Sequence, residues 1–154
     1  MTPTERLREL GHELPNVATP AGSYIPATRS GNLIFTAGQL PFVNGELQLT
    51  GKVGASITPE QAQDAARICA LNALAAAAAA AGSLDNIGSV VKVTGFVASA
   101  ENFTGQPGVI NGASDLLGEV FGDAGLHARS AVGVAELPLG SPVEVEMILE
   151  IVNS

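Results

Sequence analysis

Residues 127–151 read HARSAVGVAELPLGSPVEVEMILEI. Two runs rich in β-forming residues flank a short Pro/Gly turn. Successive side chains of a strand leave on opposite faces. Arg129 therefore shares a face with Ala131, Gly133 and Ala135, while Ala128, Ser130, Val132 and Val134 form the other. Only very small side chains stand beside the guanidinium, which leaves it space. An arginine so placed can receive a carboxylate, because its planar fork donates two parallel hydrogen bonds. In the second run Val143, Val145, Met147, Leu149 and Ile151 make an apolar face, read as core. Glu144, Glu146, Ile148, Glu150 and Val152 make a mixed one. If the runs pair across their six-residue turn, Arg129 can meet Glu146 or Glu150 on a wet sheet face. The pattern leaves that register open.

Moving outward, residues 4–10 predict a short helix with Leu7 and Leu10 on one side, stopped by Gly11 and Pro15. Residues 15–22 read as a loop. Tyr24–Thr28 and Leu33–Ala37 read as strands joined by a hairpin turn at RSGN. Asn44-Gly45 is a second turn, with a third short strand after it. Thr58 to Ala81 is the clearest helix: Thr58 suits the N-cap, Pro59 the first turn and Gln61 a capping box, with Gly82 just past the end. Its alanine run reflects helix propensity and permits close approach of a sheet. Ile87–Ser99 predicts a long strand with Val91, Val93 and Val97 on one face. Pro107–Phe121 predicts a second long helix, and residues 128–136 and 143–152 the last two strands. The order ββ(β)αβαββ describes one α+β domain spanning residues 1–154, a mixed sheet with two helices on one face and an N-terminal helical extension over residues 1–15.

Charged residues are only 14% of the 154, below the usual quarter, so much surface is expected to be hidden between subunits. The formal net charge is −8, with seven scattered Lys and Arg and 4% aromatics, which disfavours a nucleic-acid partner. An acidic protein repels anions at long range, so an anionic ligand needs a local arginine. The single cysteine, Cys69, excludes an intrachain disulfide and reads as a core thiol. His12 and His127 lack metal-ligand spacing, and His127 shares strand parity with Arg129 at the edge of the same face. No leader is visible at the start, and the alanine run 75–81 is too short and weakly apolar to cross a bilayer. A cytoplasmic protein without a membrane partner is expected.

Four segments then carry a resemblance. GSYIPA (22–27), GNLIFTAGQLP (31–41), ENFTGQPGVIN (101–111), and ARSAVGVAELP (128–138) followed by VEVEMI (143–148) occur in the order found in the Rid (YjgF-type, "endoribonuclease L-PSP") imine deaminases. The chain resembles a longer branch of that family. The resemblance implies a chorismate-mutase-like fold and a homotrimeric barrel with clefts between subunits. It implies hydrolysis of 2-enamine or 2-imine carboxylates, such as 2-aminoacrylate, to 2-keto acids and ammonia, with no metal or organic cofactor. Carried over, Arg129 grips the substrate carboxylate, Glu146 orients a water and shuttles its proton, and Tyr24 closes the pocket. Backbone at Ala37, Gly38 and Ala131 binds polar atoms, and Phe103 walls the cleft. Ala37 stands where the motif has serine, Ala131 where the best-known branch has cysteine, and Ser23 where a proline is usual. The competing readings are a non-catalytic trimer that binds a small carboxylate, an endoribonuclease, and a chorismate mutase.

Overall fold

A computed structural model describes residues 1–152; the last two residues of the expected 1–154 domain lie outside them. The elements run α1 (Pro3–Glu9), β1 (Ala27–Ser30), β2 (Leu33–Thr36), β3 (Phe42–Val43), β4 (Glu46–Leu47), α2 (Pro59–Ala81), β5 (Ile87–Ala98), α3 (Gln106–Phe121), β6 (Ala128–Val134) and β7 (Val143–Ile151). Five strands form a mixed sheet in the order β1-β2-β7-β5-β6, and β3 and β4 form a separate ribbon. All neighbours are antiparallel except β5 and β6. The expected α+β sheet with two long helices on one face is present.

The helices begin where their caps place them. Thr58 and Gln61 make the reciprocal capping box, and Gly82 ends α2 in the left-handed conformation at φ 89°. Thr2 and Glu5 repeat the box on α1. Asn44 and Gly45 both have positive φ, as the tight β3–β4 turn requires. The 23 residues of α2 are long and apolar enough to cross a bilayer, beyond what its alanine run alone suggests. Most of this helix is packed against the sheet and α3, however.

Three strand readings are corrected. Tyr24 precedes β1, which starts at Ala27. Val91 does not share a face with Val93: the β5–β7 register shifts between Val90 and Lys92. That bulge turns Val90 and Val93 into the core and leaves Val91 exposed. Most consequentially, β6 and β7 do not pair. β5 lies between them, parallel to β6 and antiparallel to β7. The turn after β6 is a crossover past β5, ending in a tight helical turn at Pro138–Gly140.

The core is one-sided. Val143, Val145, Met147 and Leu149 of β7 are buried under the helices together with Val93 and Val97 of β5. Small residues let the layers approach closely. A Cβ on Gly112 of α3 would collide with the Gln63 carbonyl of α2, and one on Gly95 of β5 with Ile110. Cys69 is fully buried, and desolvation pushes its thiol well above its ordinary pKa. The opposite sheet face carries no helix and exposes Phe35 and Val132.

The packing makes a paired prediction. Gly112→Ala should cost about 1–3 kcal/mol, because the overpacked methyl forces α2 and α3 apart. Gly118→Ala, with open space at its Cβ position, should stabilise by about 1 kcal/mol through helix propensity. Urea unfolding of both variants checks the opposite signs.

Candidate functional site

The residues singled out in the sequence fall into two groups on opposite faces of the sheet. The first group surrounds a small cavity of about 50 Å³, lined by Tyr24, Pro26, Gly38, Gln39, Pro138 and Glu144 among others. After β2 the chain forms a bridge in which Gln39 and Val145 exchange both backbone hydrogen bonds. The side chain of Glu144 lies against Gly38. A Cβ on Gly38 would stand 2.7 Å from Glu144 Oε2, so glycine is what admits the carboxylate. Ala37 precedes it, its N–H held by the Pro26 carbonyl. Tyr24 closes another side, and its hydroxyl oxygen accepts the Ala21 N–H at 3.1 Å.

The glutamate in this cavity is Glu144, not Glu146. Glu146 sits one step along the open face, in a separate depression with Phe35, Thr36, Lys92 and Thr94. The contact is diagonal: the antiparallel bridge sets Gln39 opposite Val145 and hence Gly38 opposite residue 146, and it is the Glu144 side chain that reaches across to Gly38. Glu144 is half-buried, and its carboxyl is held above its ordinary pKa, first by desolvation and second by the negative charge of Glu146. A carboxyl poised in this way keeps a proton more readily than an exposed glutamate, which suits a group that must both take and return one.

The second group lies under the helices. Arg129 pairs with Val93 across β6 and β5, on the same face as the buried core. Its guanidinium contacts α3: Nη1 donates to Asn111 Oδ1 at 2.7 Å and to Ser114 Oγ at 3.2 Å, and Nη2 to the Pro107 carbonyl at 3.3 Å. The expected pairing of Arg129 with Glu146 or Glu150 does not occur. Two facts prevent it: β5 separates the strands, and the glutamates leave on the other face. Among the described residues no carboxylate forms a salt bridge with Arg129. Ala131 follows on the same side, opposite Gly95. Phe103 packs over Gly54 and Gly105, near the start of α3 and away from the Tyr24 cavity. Neither histidine joins a metal cluster among the described residues: His12 Nε2 accepts from Arg67, and His127 bonds Ser114.

The chain therefore presents a carboxyl, a tyrosine and backbone polar groups in one place, and in another a guanidinium with no carboxylate partner among the described residues. Asn111, which touches that guanidinium, closes the ENFTGQPGVIN segment but was given no role there. Ser114, which also touches it, carried no recognisable signal in the sequence. Glu144 carried one, its alternation on β7, but so did Glu146.

With this geometry established, the comparisons with known proteins define the class. Residues 4–151 match the family described as "YjgF/chorismate_mutase-like, putative endoribonuclease", and the chain belongs to it. It is 47% identical over 148 residues to Protein TCP17 of Trypanosoma cruzi, covering 96% of this chain and 92% of that one. It is 32% identical to the 2-iminobutanoate/2-iminopropanoate deaminase of Escherichia coli K12, covering 86% and 91%. Among solved structures it is similar to the protein Atu1372 of Agrobacterium tumefaciens, of unknown function. There the TM-score is 0.90 at 48% identity, covering 97% of this chain and 92% of that one.

The raised carboxyl predicts a pH-dependent stability. Below the ordinary carboxylate range Glu144 is neutral in both folded and unfolded chains, and burial costs nothing. As pH climbs from the ordinary value to the raised one, the unfolded chain ionises first and folding loses stability. Glu144→Gln removes this loss. Its melting temperature should match the wild type at low pH, exceed it progressively across that window, and hold a constant excess above it. Thermal melts at a series of pH values check the divergence.

Proposed function

We propose that the protein hydrolyses 2-imine and 2-enamine carboxylates to 2-keto acids and ammonia. The observation that carries the reading is Glu144, its carboxyl desolvated in a cavity beside Tyr24 and pressed against the backbone at Gly38. The relationship to a named imine deaminase supports it.

The chemistry follows from the groups. An imine carbon is already electrophilic, so the site must supply a positioned water, a proton shuttle and an anchor for the carboxylate. Arg129 is the anchor, with donors that no described residue of its own chain uses. Water in the Tyr24 cavity attacks the carbon of the protonated imine as Glu144 takes a proton from that water. The C–O bond forms, the C=N π pair moves to nitrogen, and the nitrogen becomes a neutral amine. Glu144 returns the proton to that nitrogen, then takes the hydroxyl proton as the carbonyl forms and the C–N bond breaks, and ammonia leaves. An enamine first gains a proton at carbon to become the imine, then follows the same course.

Arg129 and Glu144 stand on opposite faces of one sheet, so a complete site draws them from two copies of the chain. The two half-sites are different surfaces, and a contact between them is heterologous; repeated with a rotation that closes, it makes a ring. The ring we propose is the homotrimer that the family resemblance implies, with the exposed sheet faces turned inward and the helices outside. Net charge −8 argues against RNA as a substrate.

The test is hydrolysis of 2-iminopropionate generated in situ by an amino-acid oxidase. Wild type should accelerate it. Arg129→Ala and Glu144→Gln should each lower kcat/KM by about 10²-fold or more, the usual worth of an anchor or a proton shuttle. Glu146→Gln should retain most activity. Gly38→Ala should fold but lose activity, because its methyl displaces the Glu144 carboxylate. Loss in Glu146→Gln with activity kept in Glu144→Gln would reverse the assignment. No acceleration by folded wild type would leave a carboxylate-binding protein.

A further inference from the structure

Resting on the reading of Arg129 as the carboxylate anchor, we infer that His127 and Ser114 form a positioning relay that fixes its guanidinium, with Asn111 and the Pro107 carbonyl completing the holder. Pro107, Asn111 and Ser114 recur at helical spacing on one face of α3, the face turned to β6. His127 lies just before β6, two residues from Arg129, and both side chains reach Ser114. The helix and the strand thus meet through polar groups at this edge.

With the imidazole neutral, the hydrogen bonds have one consistent direction. His127 Nδ1 lies 2.7 Å from the Gly125 carbonyl oxygen, which can only accept. The hydrogen of the neutral ring is therefore on Nδ1, and Nε2 presents a lone pair. Ser114 Oγ lies 2.9 Å from that Nε2, so the serine hydroxyl donates to it. With its hydrogen committed there, Ser114 Oγ turns a lone pair toward Arg129 Nη1 at 3.2 Å. Without the histidine the hydroxyl hydrogen is free to rotate, including toward the arginine, where it would repel the guanidinium.

The consequence falls on the donors left for substrate. Both hydrogens of Nη1 are used, by Asn111 and Ser114, and one of Nη2 by Pro107. Nε and the second Nη2 hydrogen have no partner among the described residues. These are neighbouring donors on one edge of the fork, the arrangement that takes a carboxylate side-on through two parallel bonds. The relay holds that edge outward. His127 never touches the reacting atoms; it acts through Ser114.

The experiment is a double-mutant cycle with rescue, read as KM and kcat for 2-iminopropionate on folded protein. His127→Phe keeps the ring's shape but offers no acceptor, and Ser114→Ala removes the middle link. Each should raise KM by about 3- to 10-fold, the worth of one hydrogen bond, with kcat within about twofold. The double variant should be no worse than Ser114→Ala alone, because the histidine acts only through the serine. His127→Gln, which returns an acceptor near the Nε2 position, and Ser114→Thr, which keeps the hydroxyl, should restore KM. Additive effects, failure of both rescues, or unchanged KM in Ser114→Ala would overturn the relay. If His127→Phe does not fold, the Ser114→Ala and Ser114→Thr pair decides. If folded wild type does not turn over, the deaminase reading fails by itself. The same variants are then read as the Kd for 2-oxobutanoate, and the relay stands or falls on that series.

Discussion

The pairing of β5 between β6 and β7 is the constraint on which the rest depends. It joins a parallel neighbour on one side to an antiparallel one on the other. Because β5 holds the strands apart, Arg129 and the glutamates of β7 are not partners. The alternation of β7 then acts without interference. Its valines, Met147 and Leu149 are sealed under α2 and α3, and every glutamate is driven to the bare face. Hydrophobic burial on one side of the strand is thus what exposes Glu144 on the other. Arg129, with the opposite orientation on β6, is directed to α3 instead.

Much of this was legible in the sequence. The helices could be placed because their ends carry local chemistry: a reciprocal Thr58–Gln61 box and a glycine where a left-handed residue is needed. Local signals suffice where the determining interactions span three or four residues. The β-sheet was legible in content but not in order. A Pro/Gly turn between two strands is the same signal for a hairpin and for a crossover; the choice is made by β5, some thirty residues earlier. The bulge at Val90–Lys92 was hidden for a related reason. Valine at 90, 91 and 93 supports either register, and only the partner strand selects one.

The site divides in the same way. Arg129, Tyr24 and Gly38 were identifiable from residue type and motif. The choice between Glu144 and Glu146 was not, because both have the parity of the open face. What distinguishes them is a side-chain contact distant in sequence, Glu144 lying against Gly38 in the Tyr24 cavity, that the sequence does not announce. Gly38 hinted at a close approach without naming its partner. Asn111 and His127 were visible singly, one closing the ENFTGQPGVIN segment and the other by its spacing from Arg129, but with Ser114 they become a network only when the helix docks on the sheet. The low charge content had suggested shared surface, and the bare sheet face with its exposed Phe35 and Val132 is where such surface is available.

The central claim is that Arg129 and Glu144 act together only across two copies of the chain, and subunit mixing tests it most directly. Arg129→Ala and Glu144→Gln proteins, each inactive alone, are unfolded together, refolded as mixed oligomers and assayed with 2-iminopropionate. A site shared between copies predicts recovered activity approaching about one site in four, since that fraction of random contacts unites an intact Arg129 with an intact Glu144. No recovery from mixed oligomers of folded subunits, when wild type refolded in the same way is active, would contradict the shared site.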